Sequence, residues 1–314
     1  MTSKLDRKAI LAHLTVITSG LGPNLAEVRR FVSSLSLHVP PSHLVAFADA
    51  VDQIVQFNRA ASLAELLEPL IDGDRLQLWL GPLRFQDRSA LCTIVEEILI
   101  RREYHFQSAS AAPTVIDAGA NVGLASYYTR RMCNAGRLIC FEPNPETFAI
   151  LEENIAAMRI PSVELHCAAL SREDGQAEFV RSASAPLAGS LAPRNTPSDS
   201  TRIKVPTRDL KPFLSSPVGL LKIDIEGAEA EVLEECADHL ALVENLFCEV
   251  HPIPGETPSL LLRVLAVLER AGFFVHVARS PWSEKVHNTM PLVQAYRSYS
   301  LSVFATRVRP APKG

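Results

Sequence analysis

The sequence TVIDAGANVG at residues 114–123 decides the fold. It begins as an apolar, strand-like run that ends in Asp117, and the spacing of apolar residues from 122 to 135 is helical. Gly119 and Gly123 allow the backbone to approach a ligand closely, and the start of the helix offers free N–H groups to a polar ligand. The stretch therefore predicts a strand, turn and helix that form a nucleotide-type site.

The next strand-like run, RLICFE, ends in Glu142, where doubly wound folds place an acid that binds ribose hydroxyls. The turn has the spacing Asp-x-Gly-x-Asn-x-Gly, which resembles the S-adenosylmethionine turn of Rossmann-like methyltransferases more than a nicotinamide fingerprint. Asp117 would repel a diphosphate but suits the amino-acid end of S-adenosylmethionine. A turn that merely packs helix on sheet is the alternative. We expect S-adenosyl-L-methionine as cofactor, bound by Asp117, Gly119, Asn121, Gly123, Glu142, Pro143, Ala168 and Asp224.

Composition limits the function classes. The chain has 314 residues, 47% of them hydrophobic, and a formal net charge of -4. It has no run of Lys and Arg, which argues against a nucleic-acid partner. Charged residues surround the short apolar stretch at the start, so neither a signal peptide nor a membrane span is expected, and we predict a cytoplasmic protein. The six cysteines form no Cys-x-x-Cys pair and indicate reduced core residues without zinc.

The chain divides into a helical module of about four helices at residues 1–72, a Rossmann-like domain at 73–307 and a disordered tail at 308–314. The module is predicted to be a structural cap, a cover for the active site or the contact of a homodimer. A hairpin is expected around residues 81–82. The order of strands and helices after Asp117 predicts an α/β fold with a mostly parallel, doubly wound sheet and an antiparallel last strand.

Two further stretches interrupt this pattern. Residues 181–202 are rich in Ser, Pro, Ala and Gly and predict a mobile loop. Residues 280–299, with Trp282, Lys285 and His287, lie between the last two strands. Both stretches are expected to border the substrate, since sites of this architecture are built from loops.

The run VGLLKIDIEGAE carries charges inside an apolar strand. Its period of two places Lys222, Asp224 and Glu226 on one side. Because an unpaired buried charge is costly, Lys222 is expected to pair with a carboxylate. In a purely structural interpretation, Lys222 is a buried residue that links neighbouring elements and Glu226 caps the next helix.

The following run, NLFCEVHP, places Glu249 and His251 on one face near the same sheet edge. An imidazole is suited to remove a hydroxyl proton, so His251 is the first candidate for general base and Asp224 the second. The predicted catalytic set is His251, Asp224, Lys222 and Glu226. No metal is predicted, although the same Asp, Glu and His types could instead hold a divalent cation.

The segments DAGANVG, FEPNP, IKVPTRDL and above all LLKIDIEGAEAEVL resemble the FkbM family of methyltransferases over about residues 75–307. The most specific element is Lys-x-Asp-x-Glu-Gly at residues 222–227. The family often has Leu-Asp where this chain has Arg208 and Asp209. The resemblance implies S-adenosylmethionine-dependent methylation of an oxygen, commonly a hydroxyl of a polyketide, peptide or sugar-containing metabolite and sometimes a carboxylate. It says nothing about the N-terminal helices.

Two other function classes remain open at this point. A nicotinamide-dependent oxidoreductase would share the strand, turn, helix and Glu142, but the expected Gly-x-Gly-x-x-Gly is missing. A non-catalytic cofactor-binding or scaffold subunit would use the helical module as its partner contact. The leading prediction is an O-methyltransferase for a small-molecule acceptor, a natural product or glycan.

Overall fold

The computed structural model describes residues 7–19, 26–56, 62–182, 189–191, 199–251, 257–279 and 300–307. The chain forms two compact units, residues 1–103 with 153–160 and residues 104–152 with 161–314. The hairpin and the helix after it therefore belong with the N-terminal helices, whereas the sequence places the boundary near residue 72. None of the described helices is long and apolar enough to cross a bilayer.

The first unit contains the helices expected from the sequence. They are α1 (Arg7–Ser19), α2 (Ala26–Leu35), α3 (Leu44–Gln56) and α4 (Leu63–Leu67). The apolar positions of α3 that recur at helical spacing, including Phe47, Val51 and Ile54, are buried. Ser62 caps the start of α4, because its side chain accepts a hydrogen bond from the Glu65 N–H.

The predicted hairpin is present in the first unit. Strands β1 (Ile71–Asp72), β2 (Arg75–Leu78) and β3 (Gly81–Arg84) form an antiparallel sheet. Gly81 already pairs with Leu78, so the turn lies two residues earlier than the predicted Gly81–Pro82. Helix α5 (Arg88–Val95) follows and continues as a π-helical turn at Glu96–Ile100.

The second unit is built on a seven-stranded sheet, which confirms the predicted fold class. Its order is β12-β13-β11-β10-β4-β5-β6. The neighbours from β11 to β6 are parallel, and β13 runs antiparallel to both β11 and β12. The strands are β4 (Thr114–Ala118), β5 (Arg137–Phe141), β6 (Val163–His166), β10 (Val218–Ile223), β11 (Val243–Val250), β12 (Phe274–Arg279) and β13 (Leu301–Thr306).

Four helices accompany this sheet, namely α6 (Leu124–Met132), α7 (Pro145–Ala157), α8 (Glu229–Glu235) and α9 (Thr257–Arg270). The sequence predicts one helix from 229 to 243. The observed α8 ends earlier and is followed by a 3-10 turn at Ala237–Leu242.

The run VELHCAAL is predicted as one strand, and this prediction is wrong. Its first half is β6 in the large sheet, whereas β7 (Ala169–Ser171) lies in a second, three-stranded sheet of order β7-β9-β8. That sheet contains β8 (Gly175–Ser182) and β9 (Ser200–Asp209). The run contains no Gly or Pro that would mark a break, so its pattern could not show that the chain passes from one sheet to another.

Several predicted features lie outside the described residues. They include most of the loop predicted at 181–202, the stretch 280–299 with Trp282, Lys285 and His287, and the tail at 308–314. These predictions remain predictions.

Strand β10 lies between β4 and β11, and all six of its residues are buried. Lys222 is in register with Asp117 on β4 and with Phe247 on β11. Parallel pairing places the carboxyl ends of the three strands at one edge of the sheet, and ligands of doubly wound folds bind at that edge. The predicted site residues lie at these strand ends or just beyond them.

Candidate active site

The turn after β4 has an unusual backbone conformation. Gly119, Asn121 and Gly123 all have positive φ, at 80, 50 and 90 degrees. A Cβ on Gly119 would lie 1.9 Å from the Asp224 carbonyl oxygen, so only glycine fits there. The N–H groups of Gly119 and Ala120 both donate to the Phe141 carbonyl, at 2.9 Å each. The turn is thereby fixed against β5 and β10.

Glu142 follows β5 and is connected to the same turn. One carboxylate oxygen accepts from the Asn121 N–H at 3.1 Å and the other from the Asn144 N–H at 2.9 Å. Burial raises the pKa of Glu142 to about 7, although these two hydrogen bonds and the charge of Lys222 act in the opposite direction. The sequence therefore correctly singles out Glu142 as a buried acid beside the turn.

The structure places the other predicted cofactor residues around the same strand ends. Pro143 is half-buried directly after Glu142, and Ala168 lies two residues beyond the end of β6 and is 3% exposed. The N–H of Glu142 donates to the His166 carbonyl at 3.1 Å, which connects the ends of β5 and β6.

Lys222 pairs with carboxylates, as predicted. Its Nζ lies 3.3 Å from Asp117 Oδ1 and 3.5 Å from Asp224 Oδ2, and it donates to the Gly119 carbonyl at 2.6 Å. Burial acts to lower the pKa of Lys222, but Asp117 and Asp224 outweigh it and raise this pKa. The ammonium group thus holds the glycine turn to β10 and carries its charge under all ordinary conditions.

Asp117 is 1% exposed, and its carboxylate is engaged within the protein. Besides the pair with Lys222, its Oδ2 accepts from the Ser126 hydroxyl at 3.1 Å. These contacts show how the acid at the end of β4 fixes both the turn and helix α6. Its predicted contact with the amino-acid end of a cofactor remains a prediction.

His251 directly follows β11 and is surrounded by carboxylates. Its Nδ1 is 2.8 Å from Glu229 Oε1 in a buried hydrogen bond. Its Nε2 lies 3.5 Å from Glu226, 3.6 Å from Glu249 and 3.9 Å from Asp224. The structure therefore brings together three of the four predicted catalytic residues, with Lys222 beside Asp224.

Burial acts to lower the pKa of His251, but Glu226, Glu249 and Glu229 together raise it to about 10. Burial also raises the pKa of Glu249, with Asp224 and Glu229 acting in the same direction. As it stands in this structure the imidazole carries a proton at neutral pH. The sequence predicts a neutral His251 that acts as a base. This hypothesis requires another positive group near the carboxylates, because such a group would lower the pKa of His251.

Glu226 does not cap the next helix. The residue before α8 is Ala228, and no side chain accepts a capping hydrogen bond there. Instead Glu226 has φ of 62 degrees, and its carbonyl accepts from the Ser190 hydroxyl at 2.5 Å. This unusual backbone conformation directs the residue into the group around His251.

Sequence reasoning missed three neighbours of the site. Glu229 is 1% exposed and binds both His251 and the Gly227 N–H, at 2.8 Å each. It is one of several acids in the run EGAEAEVLEE, and nothing in the pattern distinguishes it. Ser126, which binds Asp117, and Tyr104, whose ring centroid is 5.5 Å from Lys222 Nζ, likewise gave no signal.

All six cysteines are free thiols, and Cys140, Cys236 and Cys248 are buried. Burial raises the pKa of each of these three thiols, that of Cys236 to about 12. They are unreactive core residues.

A seven-stranded sheet with a reversed strand β13, and a glycine turn after strand β4, define the Rossmann-like class I methyltransferase fold. Within that class the chain belongs to the FkbM methyltransferase family, because the Methyltransferase FkbM domain matches residues 117–275. The matched region contains the turn, Glu142, Lys222 and the His251 group.

Two relatives carry methyltransferase names. Methyltransferase 1 of Beauveria bassiana (strain ARSEF 2860) is 27% identical over 212 residues, 60% of this chain and 84% of the relative. Methyltransferase sdnD of Sordaria araneosa is 26% identical over 223 residues, 60% of this chain and 85% of the relative. A crystal structure of Methyltransferase FkbM from Methylobacillus flagellatus KT is similar with a TM-score of 0.42 and 11% identity, covering 93% of this chain and 58% of that one.

Proposed function

We propose that the protein is an S-adenosylmethionine-dependent O-methyltransferase that acts on a hydroxyl of a small molecule, a natural product or glycan. The observation that carries the proposal is the pairing of the glycine turn with Glu142. A turn with three positive-φ residues meets a buried carboxylate through the Asn121 N–H. Membership in a methyltransferase family supports a methyl donor as the ligand of this turn.

The residues at the turn fit such a cofactor. A carboxylate has about four acceptor sites, and each oxygen of Glu142 is given one backbone N–H here, so capacity remains for two ribose hydroxyls. Glycine at position 119 lets the turn approach the Asp224 carbonyl closely, because any Cβ there would collide with it. Glu142 would bind the ribose, and the turn from Gly119 to Gly123 would hold the rest of the cofactor against α6.

When bound, S-adenosylmethionine supplies a methyl group on a positively charged sulfur, which an acceptor oxygen displaces in line. The protein's part is to orient the two reactants, which accounts for much of the acceleration in such reactions. Lys222 is a positioning residue, because it holds the turn to β10 through Gly119 and Asp117. The hydroxyl proton leaves to a group at the ends of β10 and β11, for which His251 and Asp224 are the candidates.

The charge at these strand ends favours a hydroxyl acceptor over a carboxylate. Asp224, Glu226, Glu229 and Glu249 surround His251, and all four are acids. A negatively charged acceptor would be repelled at this edge, whereas a neutral hydroxyl would not.

The proposal is tested by incubating the full-length protein with methyl-labelled S-adenosylmethionine and a panel of hydroxylated metabolites. Each alcohol is matched with the carboxylic acid of the same skeleton. We expect label in the methyl ether of at least one alcohol and none in the corresponding ester. Methyl esters as the products would reject the hydroxyl assignment, and hydride transfer to NAD⁺ from the same alcohols, without methyl transfer, would reject the enzyme class.

A further inference from the structure

Three side chains of ligand type lie together after β10 and at the end of β11. Asp224, Glu249 and His251 each offer one ligand atom, and these atoms all lie within 4.8 Å of one another. Donors bound to one small divalent cation are roughly 3 Å apart in adjacent positions and roughly 4 Å apart in opposite positions, given metal–oxygen distances near 2.1 Å. The distances of 3.6 Å and 3.9 Å from His251 Nε2 to Glu249 and Asp224 fall within this span.

The His251 ring is oriented as a metal ligand would be. Its side chain is 9% exposed, and its Nδ1 is hydrogen-bonded to the buried Glu229. Metal-binding histidines almost always donate the second ring N–H to a carboxylate or carbonyl, which fixes the tautomer. Nε2 then faces the carboxylates, and a cation bound to this nitrogen would displace its proton. Of the three carboxylates that face this nitrogen, that of Glu226 is nearest at 3.5 Å, which is beyond the usual length of a hydrogen bond.

Negative charge is concentrated around the imidazole. Four carboxylates, those of Asp224, Glu226, Glu229 and Glu249, surround one imidazole. Lys222 Nζ lies 3.5 Å from Asp224, but it is also paired with Asp117 at 3.3 Å. The same ammonium group donates a hydrogen bond to the Gly119 carbonyl at 2.6 Å. Buried charges are tolerated when they are paired or coordinate a metal.

We propose that Asp224, Glu249 and His251 bind one divalent cation of the Mg²⁺ or Mn²⁺ type, with Glu229 as the positioning residue for the imidazole. The two carboxylates favour a cation of this type, since carboxylate oxygens are among its preferred ligands. This proposal replaces the sequence-based prediction that no metal takes part. The cation would lie at the edge where the acceptor oxygen arrives, and this part rests on the proposed function.

The test measures Mn²⁺ binding to chelator-treated full-length protein by the loss of the electron paramagnetic resonance signal of free Mn²⁺. We expect one saturable site per chain. Glu249→Gln and His251→Ala should weaken binding at least tenfold, and Glu229→Gln should weaken it about 10-fold or more by releasing the ring. Glu178→Gln is the matched control, since it removes one exposed carboxylate, paired with Arg202, and should bind Mn²⁺ like the wild type.

Binding of S-adenosylhomocysteine to the same samples shows that the variants fold and separates the two proposals. Wild-type protein that binds S-adenosylhomocysteine but no Mn²⁺ would overturn the metal site and leave the proposed function standing. Wild-type protein that binds Mn²⁺ but no S-adenosylhomocysteine would overturn the proposed function and leave the metal site standing. Mn²⁺ affinity unchanged in both Glu249→Gln and His251→Ala would also overturn the site, because binding would then arise elsewhere.

Discussion

The N–H of Asn121 donates to Glu142 Oε2 at 3.1 Å, so the glycine turn after β4 and the acid after β5 form one unit. These two residues are separated by helix α6 in the chain, and β4 and β5 are adjacent in the sheet. The pairing of these strands therefore creates the part of the site that the proposed function assigns to the cofactor.

Replacing Glu142 should weaken S-adenosylhomocysteine binding. Glu142→Gln loses the second acceptor oxygen, and ribose hydroxyls would then lack a partner in a buried site, at a cost of about 1–3 kcal/mol. Isothermal titration calorimetry measures the change. Glu152→Gln alters an exposed acid of α7 and should bind like the wild type. Equal affinities of the two folded variants would contradict the assignment.

Cofactor affinity should increase with pH between 6 and 8. The pKa of Glu142 is raised to about 7, so the unbound protein carries a neutral carboxyl below this value and the accepting carboxylate above it. If only the carboxylate binds, affinity should be about tenfold lower at pH 6 than at pH 8. Other groups near Glu142 are Asp117, Lys222 and Cys167. The Glu142→Gln variant should lose this pH dependence, and a dependence that persists there must arise from another group.

Gly119→Ala should destabilise the protein strongly. The added Cβ would lie 1.9 Å from the Asp224 carbonyl at a φ of 80 degrees. Gly73 provides the control, because it also has a positive φ of 60 degrees but nothing within 4 Å of a built Cβ. Gly73→Ala should cost about 1 kcal/mol from backbone strain alone, and Gly119→Ala should cost several-fold more. Urea unfolding compares them, and similar losses would contradict the close approach of Gly119 to β10.

Much of the fold was predictable because its signals are local. Alternating apolar runs and helical spacing gave the parallel sheet, and the absence of a helix pattern between the last strands gave the reversed β13. The break of VELHCAAL between two sheets was not predictable, since no Gly or Pro in the run marks it. The grouping of the β1–β3 hairpin with the N-terminal helices depends on long-range packing, which no local pattern records.

The candidate site was predictable where a charge interrupts an apolar strand. Lys222 stands out for this reason, and its pair with Asp117 follows from the register of β10 on β4. Glu229 could not be found in this way. Its hydrogen bonds to His251 and the Gly227 N–H depend on the backbone path of residues 224–228. The charge state of His251 likewise depends on carboxylates that only the fold brings together.

Lys222→Met should destabilise the protein by about 3–5 kcal/mol, because it leaves Asp117 buried at 1% exposure without its cation. The exposed pair of Lys211 with Glu235 provides the control, and Lys211→Met should change stability little. Chemical unfolding measures both. A small effect of Lys222→Met would show that Asp117 finds another partner or accepts a proton.

His251→Ala should lower methyl transfer by about 100-fold or more while leaving S-adenosylhomocysteine affinity unchanged. The ring is bound to Glu229 and faces Asp224, Glu226 and Glu249, and none of these four acids belongs to the glycine turn. A loss of this size is expected whether the imidazole acts as a base or as a metal ligand. His239→Ala, at an exposed position, is the control. Wild-type turnover of His251→Ala would remove this residue from the chemistry.

The most direct test of the account is calorimetric titration of the full-length wild-type protein with S-adenosylhomocysteine and, separately, with NAD⁺. We expect S-adenosylhomocysteine to bind with one site per chain and NAD⁺ not to bind, because Asp117 and the Asp-x-Gly-x-Asn-x-Gly turn do not suit a diphosphate. Binding of NAD⁺ with no binding of S-adenosylhomocysteine would contradict it.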